Sequence, residues 1–429
     1  QRQSARAGDD GTWRVMLDPL TASAESRTLT VSGDGSVSVS NVVVGDVWLA
    51  SGQSNMDSPM SSGSAANALP EASDPLLRYF KVRKKVSPAP LAEAEGQWRA
   101  STPTDARDFS AVAYFFAREL RRTQNVPVGV INSAWGGTPI KTWMTLESIR
   151  REPAMTALVT EWDQARAKHE AVKNQPQLQE AYLADMKDWA ANVEPAFRAA
   201  RKAYDEEAAA AKAAGKPAPP RPAPARPEPD VPDPMAMPSP SKRPSTPAIS
   251  YNACIAPFAT YGIKGVIWYQ GESNAGRAYQ YRELLPALIG DWRKAWGQGN
   301  FAFLIVQLAN FLKPDAEPRD DAWPELREAQ YLTTKRVPRT GLAVAIDIGE
   351  ADDIHPKNKQ DVGKRLAWAA LSVAYGRQVV GSGPVYRSMR VEGSAIRISF
   401  DHVAEGLVVR GDRLMGFAIA GSDRKFVWA

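Results

Sequence analysis

Serine is a weak nucleophile until a base takes its proton, and histidine is the side chain that usually does so at neutral pH. The sequence offers only His169, His355 and His402. His169 lies in a charged, helix-patterned stretch and His402 in strand-patterned sequence near the C-terminus, whereas His355 follows the apolar run 342–347 in Asp352-Asp353-Ile354-His355-Pro356. The serine placed to match it is Ser54, in Val47-Trp48-Leu49-Ala50-Ser51-Gly52-Gln53-Ser54-Asn55-Met56, where an apolar run breaks into small polar residues. That pattern is a buried strand ending in a turn, and in open α/β sheets catalytic groups collect at the carboxyl ends of strands. Taken alone, Ser54 and Asn55 would cap the next helix and His355 would be a surface residue. Taken together they favour a nucleophile and its base. Ser273 competes in Gly271-Glu272-Ser273-Asn274-Ala275-Gly276, but its second glycine falls one residue late for a Gly-x-Ser-x-Gly elbow.

A histidine base needs a partner to hold its tautomer, and Asp352 and Asp353 both neighbour His355. A backbone carbonyl is the third option. Acyl transfer also needs fixed donors where negative charge develops. Asn132-Ser133-Ala134-Trp135-Gly136-Gly137-Thr138 follows one apolar run and brings backbone N–H groups close through its glycines; Tyr269-Gln270-Gly271-Glu272-Ser273-Asn274 follows another and offers the Gln270 amide. Either motif alone is common. With Ser54 and His355 they make four loops at one edge of one sheet.

The elements that must position these loops alternate in period. Extended runs near 77–82, 126–132, 265–270, 303–307 and 342–347 are interleaved with amphipathic stretches at about 110–122, 279–292, 324–334 and 358–375. Near-continuous apolar strands separated by helices indicate a parallel sheet covered on both faces, hence a doubly wound α/β domain. Short alternating runs at 13–17, 27–31 and 37–40, matched by others at 395–400, 406–410 and 415–420, predict an accessory antiparallel β layer built from both chain ends. Strand-like sequence at both ends is what a piece of a longer protein would show, and the polar start resembles that of a mature or trimmed chain. The organisation expected is an N-terminal β region at 1–45, an α/β domain at 46–378 interrupted at 147–250, and a C-terminal β region at 379–429. The interruption begins with amphipathic helices (Leu158, Trp162, Ala165; Tyr182, Met186, Trp189) and ends in a proline-rich tract, 216–247, whose composition favours extended chain over a packed core. It reads either as a lid or partner surface at the rim of the site or as a solvated appendage, the latter being favoured.

Composition narrows the function. Of 429 residues 44% are hydrophobic, enough for a large core. The 53 basic residues are matched by 48 acidic ones and cluster only at Lys81-Val82-Arg83-Lys84-Lys85, so no nucleic-acid footprint is expected. A lone Cys254 excludes an intrachain disulfide and a multi-cysteine metal site. No run of eighteen apolar residues exists, so no membrane-spanning helix is expected.

Gly52-Gln53-Ser54-Asn55-Met56, Trp135-Gly136-Gly137-Thr138, Trp268-Tyr269-Gln270-Gly271-Glu272-Ser273-Asn274 and Asp353-Ile354-His355-Pro356 closely resemble the sialate O-acetylesterase family, a branch of the SGNH hydrolases. The resemblance runs from about Trp13 to the C-terminus, apart from the inserted segment. It implies a flavodoxin-like three-layer fold and a serine esterase that removes O-acetyl groups from sialic acid or other acetylated carbohydrates without metal or organic cofactor. Ser54 would be the nucleophile and one oxyanion N–H, Gly137 a second, Gln270 would stand where many SGNH enzymes have Asn, and His355 would be the base. Gln53, Asn55, Trp135 and Glu272 are the candidate substrate contacts within these motifs. The wider superfamily sets its acid three residues before the histidine, at Asp352, whereas Asp-Ile-His-Pro sets Asp353 two before, so both stay open. A periplasmic or secreted location is also implied. Trp135, Trp143 and Trp268 in or beside the motifs suit sugar rings, although tryptophan is more often core. The rival readings are a serine hydrolase of lipid or thioester substrates and a non-catalytic carbohydrate-binding protein, the latter disfavoured by intact Ser54 and His355.

Overall fold

The computed structural model describes residues 1–429 apart from 173–174, 214–218, 228, 230–243, 410 and 413. The chain divides into two compact units, 1–152 with 238–429, and 153–237. The first contains a seven-stranded sheet: β1 (Asp46–Gly52), β2 (Asp74–Lys81), β3 (Trp98–Ser101), β4 (Val128–Ala134), β5 (Gly265–Tyr269), β6 (Ala302–Val306) and β7 (Thr340–Ala343), in spatial order β3-β2-β4-β1-β5-β6-β7. Every pairing is parallel except β2 with the edge strand β3. Successive strand residues point to opposite faces, yet all of β5 and β6 are buried, so both faces of the sheet are covered. β1 sits at the centre, hydrogen-bonded to β4 on one side and β5 on the other.

The helices begin and end where the sequence signals them. α1 (Ser54–Asp57) is a single turn immediately after β1. Ser110 caps α2 (Ala111–Gln124), accepting a bond from the Ala113 N–H, and Asn125 ends it in the left-handed conformation. α3 (Ala278–Trp296), α4 (Ala322–Arg336) and α5 (Lys359–Val373) follow β5, β6 and β7. α2 packs on α5 and α3 packs on α4. Trp143, Trp268, Trp292 and Trp296 are buried and meet ring to ring, so two of the three tryptophans expected near sugar are core.

The chain ends differ from the expected common layer. Ser23–Ser32 pairs with Ser36–Val44 around an Asp34-Gly35 turn, Val385–Glu392 pairs with Ala395–Asp401, and Ala418–Ile419 pairs with Val427–Trp428. Each is a separate two-stranded ribbon, with no ladder joining the N-terminal ribbon to the C-terminal ones among the described residues. Residues 13–17 and 406–409 form no strand. Alternation marks which residues share a face but supplies no partner for that face, and Val31, Val37, Met389 and Val391 remain exposed.

The second unit holds the helices Thr156–Val172, Pro176–Asn192 and Glu194–Ala213, with His169 in the first and Trp162 and Trp189 buried. Arg226 bonds Asp185 and Asp188, and its carbonyl accepts from the Trp189 indole. The proline-rich tract lies largely outside the described residues, but its end does pack: Pro244 and Pro247 are buried in the first unit, followed by the buried helix Ile249–Cys254.

Candidate active site

The turn carrying Ser54 is tied to both neighbours of β1. Gly52 has φ +135°, and a Cβ there would lie 2.1 Å from the Tyr269 carbonyl oxygen, so only glycine fits. The next N–H, of Gln53, donates to that same oxygen at 2.9 Å, while the Gly52 carbonyl accepts from Trp135 at 3.1 Å. Ser54 therefore opens α1 at the carboxyl edge of the sheet. The Trp135-Gly136-Gly137 turn lies against it: a Cβ on Gly136 would stand 3.2 Å from Ser54 Cβ. Gly137, exposed with φ +74°, follows.

His355 comes from the loop between β7 and α5. Its Nε2 is 2.9 Å from Ser54 Oγ, in hydrogen-bond contact. The Asp353 carboxylate accepts the His355 backbone N–H at 2.9 Å and stands 3.7 Å from Nδ1, an ion-pair distance longer than a hydrogen bond. Asp352 is exposed, and its charge is felt at Lys357. Partial burial lowers the His355 pKa, Lys359 lowers it further, and Asp353 opposes both.

Several expected site residues turn inward. Gln270 is fully buried; its Nε2 donates to the Thr138 carbonyl (3.2 Å) and Asn274 Oδ1 (2.8 Å), and its Oε1 accepts from the Tyr281 hydroxyl (2.9 Å). Both amide hydrogens are committed, so in this structure the side chain expected as an oxyanion donor braces two loops. Gln53, also buried, accepts the N–H groups of Gly271 and Ser273, joining the β1 turn to the β5 turn. Asn55 is buried and donates to Glu272 Oε1 at 2.6 Å and to the Ile354 carbonyl at 3.1 Å. Burial raises the Glu272 pKa, and its Oε2 is buried without a hydrogen-bond partner. Gln53, Asn55 and Glu272, expected to touch substrate, thus build the wall of the site. Of the candidate contacts Gln53 and Asn55 are buried, whereas Trp135 and Glu272 are partly exposed; Trp135 is tied to the nucleophile turn by its backbone N–H, which donates to the Gly52 carbonyl. Lys359, which donates to Asn55 Oδ1, was not singled out in the sequence, where it reads as an ordinary charge at the start of an amphipathic helix.

A serine and a histidine in hydrogen-bond contact at the carboxyl edge of a mostly parallel sheet are an arrangement suited to acyl transfer on an α/β scaffold. The family model described as "Carbohydrate esterase, sialic acid-specific acetylesterase" matches residues 44–204 and 248–372, more than half of the chain, and the chain belongs to that family. It is a carbohydrate esterase that removes acetyl groups. Sialate O-acetylesterase of Rattus norvegicus is 28% identical, with 98% of this chain and 74% of that protein covered. The Homo sapiens enzyme is 27% identical, with 99% and 72% covered. Among solved structures, a carbohydrate acetylesterase from Xanthomonas citri is 36% identical with a TM-score of 0.70, covering 97% of this chain and 77% of that one.

Proposed function

We propose that Ser54 and His355 carry the deacetylation through an acetyl-enzyme, on the SGNH variant of the three-layer flavodoxin-like fold. The observation that carries this reading is the 2.9 Å contact between His355 Nε2 and Ser54 Oγ. Ser54 Oγ attacks the acetyl carbonyl as Nε2 takes its proton; the carbonyl oxygen becomes an oxyanion that the Ser54 and Gly137 N–H groups receive. His355 returns the proton to the sugar oxygen as the ester bond breaks, and the acetyl group stays on Ser54. Water, deprotonated by His355, then releases acetate and restores the serine. Asp353 is favoured over Asp352 to hold Nδ1 protonated, because its carboxylate already bonds the His355 backbone; the 3.7 Å gap would close when substrate orders the loop.

The substrate favoured is an O-acetylated sialic acid. Besides the relatives' names, a cavity of about 370 Å³ supports an anionic sugar: it is lined by Lys81, Arg83, Lys84, Arg99, Asp57 and Asn132, beginning at the end of α1 and the end of β4. Three of its four cations already pair with carboxylates, Lys84 with Asp57, Arg83 with Glu95 and Arg99 with Asp105, which leaves an excess of one positive charge, at Lys81, to meet a sugar carboxylate. A periplasmic or secreted location rests on family resemblance; no described helix is long and apolar enough to cross a membrane. Acetate release from O-acetylated sialic acids and from acetylated neutral oligosaccharides, with wild type and Ser54→Ala, tests both parts. Release that survives Ser54→Ala would sink the mechanism. Higher kcat/KM on neutral sugars would sink the substrate assignment.

A further inference from the structure

Two charged groups inside the site have no part in the steps above. Glu272 and Lys359 stand on either side of Asn55, the residue after the nucleophile. The Asn55 Nδ2 donates one hydrogen to Glu272 Oε1 and the other to the carbonyl of Ile354, the residue before His355, while its Oδ1 accepts from the Lys359 ammonium. Every polar position of this amide is thus committed, on three separate segments: the Glu272–Arg277 turn after β5, the His355 loop, and the first residue of α5. Only one orientation works. Turned over, the amide would set its NH₂ against an ammonium and its oxygen against a carboxylate and a carbonyl. A charge at each end polarises the amide and strengthens both bonds, and with Asn55 1% and Lys359 4% exposed, an unmade bond would be expensive.

We infer that Glu272, Asn55 and Lys359 form a buried clamp that aligns Ser54 with His355 and holds the Lys359 ammonium, through Asn55, where its charge acts on the imidazole. The inference rests on Ser54 and His355 being nucleophile and base. The 3.1 Å bond from Asn55 to Ile354 joins the immediate neighbours of the reacting pair, so a shift of α1 carries the His355 loop with it. The charge acts on proton affinity. Lys359 faces Glu272, Asp353 and Glu350; burial brings its pKa down to about 8 against the pull of those carboxylates, and Glu350 is itself paired with Lys357 at 2.8 Å. Burial and Lys359 both favour neutral His355, the form that accepts the serine proton, and Asp353 is the carboxylate that opposes them. All three clamp members are positioning residues.

The test compares the pH dependence of kcat/KM on an acetyl ester for wild type, Lys359→Met, Lys359→Arg and Glu272→Gln. Lys359→Met should lower kcat about tenfold through lost alignment and move the acid limb up by roughly half a pH unit, because a positive neighbour is gone. Lys359→Arg keeps the charge and should return the limb to its wild-type position. Glu272→Gln should lower kcat with the limb unmoved or shifted down, the opposite sign. A common loss of kcat with one unchanged limb in all three variants would overturn the electrostatic half of the inference, and wild-type kcat in Lys359→Met and Glu272→Gln would overturn the alignment half. Should Lys359→Met fail to fold, NMR titration of the wild-type imidazoles decides. The resonance lost in His355→Gln should show a second inflection near pH 8, where Lys359 gives up its proton; a single inflection would overturn the coupling. Hydrolysis persisting in Ser54→Ala would instead overturn the catalytic reading and the clamp with it.

Discussion

The nucleophile side and the base side of the site are held by different means. Ser54 follows a strand at the centre of a seven-stranded sheet, where Trp48, Leu49 and Ala50 are fully buried and backbone bonds run to both neighbouring strands. His355 lies on a loop with its side chain 49% exposed. Apart from the bond from buried Asn55 to Ile354, that loop is anchored by scattered polar contacts nearer the surface: Gly349 to Asn310, Lys357 to Glu350 and Ser64 to the Lys357 carbonyl. Packing against buried apolar surface is worth more and tolerates less than exposed polar contacts. Changes behind Ser54 should therefore appear in stability and alignment, and changes around His355 in kcat and pH dependence.

The largest expected effect removes the nucleophile. Ser54→Ala should lower p-nitrophenyl acetate hydrolysis by on the order of 10⁴-fold or more with little change in Tm, since the hydroxyl contributes chemistry and almost no packing. Ser273→Ala should keep most of the activity. Fluorophosphonate labelling found at Ser273 and absent from Ser54 would reverse the assignment. Next comes the base's partner. Asp353→Asn should lower kcat between tenfold and roughly 10⁴-fold, the upper figure being the tautomer loss known for serine proteases, and Asp352→Asn should cost less than about tenfold. If neither passes tenfold, the site is a Ser54/His355 dyad oriented by backbone.

Two glycines sharpen the contrast on the nucleophile side. Gly52→Ala drives a Cβ into the Tyr269 carbonyl and forces alanine to positive φ, so it should cost roughly 2–4 kcal/mol in a denaturation series. Gly136→Ala brings its Cβ to 3.2 Å from Ser54 Cβ, and should leave Tm nearly unchanged while lowering kcat roughly 10- to 100-fold by displacing the serine. Equal Tm losses for the two would contradict their different neighbours. The smallest effect is in pH. The base acts when neutral, and its pKa is lowered, so activity should persist below the ordinary imidazole midpoint of about 6.5. An acid limb above that midpoint would show that Asp353 outweighs burial and Lys359.

Much of the fold was legible because local signals agreed with tertiary context. The Ser110 cap and the apolar face that follows it located α2, and the unbroken apolar runs located β1, β5 and β6 because strands buried on both faces need no alternation. The run expected at 342–347 ends as a strand at Ala343, since β6, the strand it pairs with, ends at Val306 opposite it. The alternating runs at the chain ends were less informative, because alternation names a face without naming what covers it.

Residue identities and order by themselves determined that Ser54, the Trp135–Thr138 turn and Gln270 would fall at the ends of separate strands and His355 in a loop after another, because strand ends and glycine turns are local properties of the chain. Only the tertiary structure decided which of those side chains meet. It brought His355 to Ser54 across 301 positions, turned Gln270, Gln53 and Asn55 inward, and placed Lys359 on an amide 304 residues away. The physical reason is that a buried polar group must find a partner wherever the folded chain supplies one, and such partners, far apart in sequence, leave no mark in local pattern.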